Sequence, residues 1–200
     1  MSSRPMPATF TTVHPLSHSQ RERRQRLLDA ARDLAAQGGY PAVTMHAVAD
    51  RAELARATVY RYFGSKDQLL TAVGAEWARG VIAAQRAIAL ESGTAADRVG
   101  ALLDAIFDQA ATELPLCSAV VSAIISGDPT ADRERRELYA LWMSRFDEIL
   151  DTAVPAADRA EIDYLLGQIL LGAFTSMCML GQTPDQIRTM LAAAARRLLP

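Results

Sequence analysis

The sequence predicts an all-helical protein, a small three-helix head followed by a larger helical bundle. Three observations carry this. Half of the 200 residues are hydrophobic, enough to fill a core, and Ala and Leu dominate. The period-two alternation of half-buried strands is absent. Helix punctuation, with Ser or Thr before apolar periodic runs and Gly or Pro after them, recurs along the chain.

Charge divides the chain further. The formal net charge of −2 does not by itself suggest a nucleic-acid partner. Yet residues 19–66 carry nine Arg/Lys against five Asp/Glu, while the remainder carries twelve against eighteen. A basic module on an acidic body favours a polyanion at one end only. The expected organisation is a disordered tail over 1–18, a helix-turn-helix head over 19–66 and a bundle over 67–200.

The tail lacks the apolar stretch of a secretion signal. Pro15 opposes the helix that would join His14 and His18 as metal ligands. The first helix starts at a capping box, Ser19-Gln20-Arg21-Glu22. Leu27, Leu28, Ala31, Leu34 and Ala35 give it an apolar face, and Gly38-Gly39 stops it. Arg21, Arg23, Arg24 and Arg26 crowd its first turns, where the helix dipole prefers acids. That repeated unfavourable choice points to phosphate gripping, with Arg21 and Arg24 as candidates.

A second helix is expected over 44–52, capped by Thr44, with Val48 and Ala49 inward. Glu53-Leu54 turns the chain. The third helix, over 55–63, buries Val59 and Phe63, four residues apart. Its other faces then carry Arg56, Ala57, Thr58, Tyr60, Arg61 and Tyr62, too many hydrogen-bonding side chains for a helix meant only to be covered. In a helix-turn-helix the second helix enters the DNA major groove. Arg56 suits a bidentate contact to guanine, and Thr58 suits a phosphate or a thymine methyl. Tyr60 and Tyr62 reach phosphates through their hydroxyls. Lys66 sits at a helix N-terminus, where free amides already favour a phosphate.

Ser65-Lys66-Asp67-Gln68 is a second capping box and opens a long fourth helix reaching residue 90. Helices over 95–112, 114–126, 130–153, 159–180 and 184–199 follow, separated by Gly93-Thr94, Asp128-Pro129, Val154-Pro155 and Gln182-Thr183-Pro184. Thr183 as cap, Pro184 first in the helix and Gln186 third make a strong start signal. Residues 164–184 hold no charge and approach the length of a membrane span. Gln168, Thr175, Ser176, Gln182 and three glycines dilute them, which favours a helix buried in the protein or in an interface.

The residues of the head resemble the TetR family of bacterial transcriptional repressors. The likeness runs over residues 24–73. It includes Gly38-Gly39-Tyr40, the helix over 44–52, Ala57-Thr58-Val59-Tyr60-Arg61-Tyr62-Phe63, and Ser65-Lys66 followed by Leu69-Leu70. The resemblance implies a DNA-binding head whose fourth helix connects to a ligand-binding, dimerising bundle. It makes Thr58, Tyr60, Tyr62 and Lys66 DNA contacts, Arg56 and Ala57 base readers, and Thr44 a phosphate-contacting cap. Glu53 departs from the glycine usual in the turn, at a cost on the order of 1 kcal/mol if its φ is positive. Ala55 departs from the usual capping Ser or Thr, at a cost of about 1 kcal/mol. Within the family, QRERRQRLLDAARDLAAQGGY and AVADRAELARATVYRYFGSK are similar to the repressors of sterol catabolism in actinobacteria.

The implied function is repression through a palindromic double-stranded DNA operator bound by a homodimer and released by a largely hydrophobic small molecule. An acyl or steroid thioester fits that description. Trp77, Leu103, Ile106, Phe107, Val120, Ile124, Trp142, Met143 and Phe146 are candidate cavity residues. Arg79, Arg86 or Arg145 would supply a basic mouth. The resemblance places the dimer interface on the last two long helices, with Ile162, Leu165, Leu166, Ile169, Ala173, Phe174, Met177 and Met190 as its core. Gly172 and Ala173 would permit close helix approach there. No Ser/His/Asp grouping, metal cluster or glycine-rich phosphate loop points to an enzyme, a cofactor or a metal. Cys117 and Cys178, in apolar company, suggest buried thiols in a reducing cytoplasm.

Overall fold

In the computed structural model the described residues are 17–87, 93–150 and 154–199. They form nine α-helices and no strand: α1 His18–Ala42, α2 Met45–Arg51, α3 Arg56–Tyr62, α4 Lys66–Ala87, α5 Ala95–Thr112, α6 Leu114–Ile125, α7 Asp132–Leu150, α8 Ala156–Met179 and α9 Pro184–Leu198. Nearly all of the tail lies outside the described residues.

α1 begins two residues earlier than the sequence suggests. Its cap is Ser17, not Ser19: the Ser17 hydroxyl accepts from the Gln20 amide, and the Gln20 side chain accepts from the Ser17 amide at 2.7 Å. Ser17 is extended (φ −63°, ψ 164°), as an N-cap requires. Glu22 lies instead 3.2 Å from His18, one turn back. At the other end Gly38 and Gly39 leave helical geometry, with Gly39 at φ +64°, and one more turn runs to Ala42.

The head packs as its pattern requires. Leu27, Leu28, Ala31 and Ala35 of α1 meet Val48, Ala49, Val59 and Phe63 in one core. Val59 and Phe63 are 0% and 1% exposed, so each contributes about 1.5–3 kcal/mol by burial and fixes the rotation of α3. Thr44 caps α2 by accepting from the Ala47 amide at 3.0 Å. Glu53 adopts φ +53°, and the Ala55 side chain makes no cap bond to α3.

α4 leaves the head and enters the body, packing on α1, α6 and α7; α1 packs chiefly on α6, and α5 on α9. Ser65 accepts from the Gln68 amide at 3.1 Å, but the Gln68 side chain returns to the Gly64 amide rather than to Ser65, so half of the expected box forms. A Thr94–Asp97 capping box opens α5 and a Thr183–Gln186 box opens α9. Thr94 is thus the cap of α5 as well as part of the separator before it. A 3-10 turn, Pro129–Ala131, capped by Asp128, precedes α7, which therefore starts at Asp132 and not at 130. α8 starts three residues before the expected Arg159. The expected ends of the fourth and seventh helices fall in 88–92 and 151–153, outside the described residues.

Candidate nucleic-acid interface and effector cavity

With Val59 and Phe63 inward, α3 turns Arg56, Ala57, Tyr60 and Arg61 to solvent. Tyr60 is 57% exposed and Thr58 is half-buried beside it. Thr44 and Arg21 are exposed on the same module. The Lys66 amine lies 3.6 Å from the centre of the Tyr40 ring, a cation–π contact that steadies it at the start of α4. The Tyr40 hydroxyl donates to Asp67 at 2.7 Å. Burial and this acidic neighbour push its pKa up to about 12.

Two expected DNA contacts are placed differently. The Tyr62 hydroxyl is enclosed and has no hydrogen-bond partner, so it does not reach a phosphate in this conformation. Tyr62 packs against the core instead, with the Arg61 guanidinium 5.6 Å from its ring. Arg24 turns inward along α1: its guanidinium lies 5.4 Å from the Phe63 ring and 3.9 Å from Glu76 of α4. One face of a helix cannot serve both the core and the groove, and these two residues fall on the core side. His46 was missed. It accepts a hydrogen bond from Arg56 Nε at 2.8 Å, and the ten-residue spacing across the turn was its only sequence signal.

A cavity of about 510 Å³ opens inside the body. Gly74 and Trp77 of α4, Val120 and Ile124 of α6, Trp142 and Met143 of α7, and Gly167, Leu170 and Phe174 of α8 line it. Trp77, Val120, Ile124, Trp142 and Met143 were expected there. Leu103, Ile106, Phe107 and Phe146 were also expected, but are at most 1% exposed and belong to the solid core. α5 spends its apolar stripe on α9, so α8 supplies the wall that α5 was expected to give. Phe174, expected at the dimer interface, lies edge-on to Trp77 at 6.1 Å and 4.8 Å from Phe107, closing the core behind the cavity. Gly74 leaves room for this arrangement: a Cβ there would meet Val120 Cγ1 at 2.5 Å. Cys117 also lines the cavity, and burial pushes its thiol up to about 12, so it stays protonated and inert.

The basic groups of the cavity are Arg135 and Arg136, not Arg79, Arg86 or Arg145. Arg79 pairs with Glu137, and Arg86 and Arg145 both pair with Glu148. Arg135 donates through Nη2 to the Asp128 carbonyl at 2.8 Å, while its buried Nη1 has no partner.

Next to Arg135 the body grips the start of α4. Ser65 Oγ and Thr130 Oγ1 are 2.8 Å apart, and Asp128 accepts from both the amide and the hydroxyl of Thr130. The hydrogen bonds from Ser65 and Thr130 hold the Asp128 carboxyl below the usual range. Gln68 donates to Glu134, which is 1% exposed, at 3.2 Å. A second tie joins the cavity to α1: the Trp77 indole donates to Glu113 at 3.2 Å, and Glu113 pairs with Arg32 at 2.7 Å. Burial pushes the Glu113 carboxyl up, but the bonds from Gln109, Arg32 and Trp77 outweigh it and leave the group low.

α8 is long and apolar enough to cross a membrane by composition, and only 22% of its most apolar window is buried within the protomer. Leu166 and Met177, expected at the dimer interface, are 1% and 4% exposed and turn into the protomer's own core. Ile162, Leu165, Ile169 and Ala173 are half-buried. The uncovered side shows Tyr164, Leu171 and Met179, with Leu180 and, on α9, Met190 more than 70% exposed. Nothing lies within 4 Å of a Cβ built at Gly172.

A helix-turn-helix with a polar outer face, tied through one helix to a body that encloses an apolar cavity, defines a ligand-sensing DNA-binding regulator. Residues 27–73 match the model of the bacterial regulatory proteins of the tetR family. The HTH-type transcriptional repressor KstR of Mycolicibacterium smegmatis is 34% identical over 185 residues, 92% of this chain and 90% of that one. A TetR transcriptional regulator from Rhodococcus sp. RHA1 superposes with a TM-score of 0.81 at 22% identity, covering 91% of this chain and 98% of that one. FadR of Bacillus subtilis, solved in complex with stearoyl-CoA, superposes with a TM-score of 0.68 at 18% identity, covering 88% and 97%. The chain belongs to the tetR family of helix-turn-helix transcriptional regulators.

Proposed function

We propose that the protein is a repressor that binds a palindromic operator as a homodimer and leaves it when a largely apolar molecule fills the cavity. The observation that carries this is the position of the cavity: α4, the helix that leaves the head, forms one of its walls. About 510 Å³ is within the range of small-molecule sites, roughly 300–1,000 Å³. The cavity wall is almost wholly hydrocarbon, which favours a fatty or polycyclic body. Arg135 and Arg136 suit an acidic or carbonyl-bearing end. An acyl or steroid thioester meets both demands.

In this reading Thr44, Thr58, Tyr60, Lys66 and Arg21 hold phosphates, while Arg56 and Ala57 face bases. The uncovered side of α8, with Met190 of α9, meets its own copy and not a membrane. Two copies of α3 then enter major grooves about 34 Å apart or a multiple of it. Ligand pressing on Trp77 and Arg135 displaces α4 and works through the Ser65–Thr130 and Glu113–Arg32 ties to move the heads. To empty the operator, the ligand must favour the released state by several kcal/mol.

The test is a mobility-shift titration on duplexes selected from a random pool. Palindromic DNA bound with steep salt dependence, then released by long-chain acyl or steroid thioesters, is expected. Val120→Trp, which fills the cavity, should keep DNA binding and lose the ligand response. A Val120→Trp protein that still responds fully would exclude this cavity as the sensor.

A further inference from the structure

We propose that His46 is a positioning residue for operator reading, holding the Arg56 guanidinium by Nε so that its two terminal nitrogens present a fork to one base. The inference rests on Arg56 reading a base and adds the residue that makes it ready to do so.

His46 sits in the first turn of α2 and Arg56 opens α3, so their bond spans the helix-turn-helix turn. Arg56 Nε donates to His46 Nδ1 at 2.8 Å, and both residues are exposed. Among the described residues this is the one hydrogen bond Arg56 makes. Arginine has donors only, so Nδ1 is the bare nitrogen of a neutral imidazole and the ring proton sits on Nε2. With Nε occupied, Nη1 and Nη2 remain for a bidentate contact such as guanine O6 and N7. A long side chain already held in place loses less freedom on binding.

The same nitrogen faces a second group. Asp50 Oδ1, one turn along α2, is 3.5 Å from Nδ1. The two contacts exclude each other. Nδ1 accepts from Arg56 only where it carries no hydrogen, whereas a bond to the Asp50 carboxylate would need a hydrogen on it. Asp50 on α2 and Arg56 on α3 are the charged groups the structure sets against this ring.

The experiment measures binding of the full-length protein to its selected operator, to single-base variants of that operator and to an unrelated duplex, at one fixed salt concentration. Arg56→Ala is expected to flatten preference at one base pair per half-site. His46→Ala is expected to cut preference at that same pair by roughly three- to tenfold, leaving affinity for the unrelated duplex and its salt slope unchanged. His46→Asn, whose Oδ1 replaces Nδ1 as acceptor, restores the preference. The double variant His46→Ala/Arg56→Ala matches Arg56→Ala alone. If His46→Ala weakens every duplex equally, the role is merely structural and the proposal fails. It fails equally if His46→Ala leaves a preference that Arg56→Ala removes. If Arg56→Ala itself changes no preference, the base-reading assignment falls and the positioning role falls with it, a result distinct from the other two.

Discussion

In the proposed reading, single side chains divide the work of the head between phosphates and bases. Arg56 opens α3 on its exposed face, whereas Lys66 lies over the Tyr40 ring at the start of α4. Arg56→Ala should therefore cost about 1–3 kcal/mol of discrimination at one base pair. Lys66→Ala should weaken all sequences alike and lower the salt slope by about 1. Selection from random DNA with each variant checks this, and equal loss of preference in both refutes the division. Glu53 is the other telling residue. At φ +53° it sits where a side chain is strained, so Glu53→Gly should raise stability by up to about 1 kcal/mol, read as a higher melting temperature. An unchanged or lower melting temperature would mean that the lost Glu53 side chain matters more than the strain. Both positions were legible in the sequence, because a helix-turn-helix prescribes which residue faces what. The sequence did not reveal that Tyr62 and Arg24 turn inward: Tyr62 packs on the core with its hydroxyl enclosed, and Arg24 lies against Phe63 and Glu76.

Among the helices, α4 belongs to both halves of the molecule. Its first turn is held by Ser65–Thr130 and Gln68–Glu134, its middle lines the cavity, and Trp77 ties it through Glu113 to α1. The first two of these bonds join residues 65 and 66 positions apart, and none shows in a local pattern. If the clasp transmits occupancy, Thr130→Ala should leave ligand-free operator affinity within about twofold and reduce ligand-driven release several-fold. Operator and ligand titrations on the same variant measure both. A ratio equal to that of the wild type would assign the coupling to packing of α4 alone. Helix limits were read from caps and stops with errors of two or three residues, at Ser17, Asp132 and Ala156. Several serines and threonines can cap one helix start, and the backbone geometry of the loop selects among them.

For the molecule as a whole, one copy carries one reading helix and one uncovered apolar side. Leu180 and Met190 are 71% and 72% exposed, beside Tyr164, Leu171 and Met179. Leu180→Glu combined with Met190→Glu should leave the protomer folded, since neither side chain supports its core. It should shift the protein to monomers by sedimentation and lower operator affinity at least a hundredfold, while weak salt-sensitive binding to any duplex persists. Monomers that bind the operator at full strength would remove the need for a pair.

The sequence by itself determined the helical class, the division into a basic head and an acidic body, the identity of α3 and its inward pair Val59 and Phe63. Those follow from local rules: period, caps and side-chain chemistry within a few residues. The tertiary structure alone decided that α8 rather than α5 closes the cavity, that Arg135 and Arg136 are its cations, and that Phe174 faces inward. α5 and α8 are both apolar enough to serve either place. Which one walls the cavity depends on the packing of α5 against α9, a long-range contact that no stretch of sequence specifies alone.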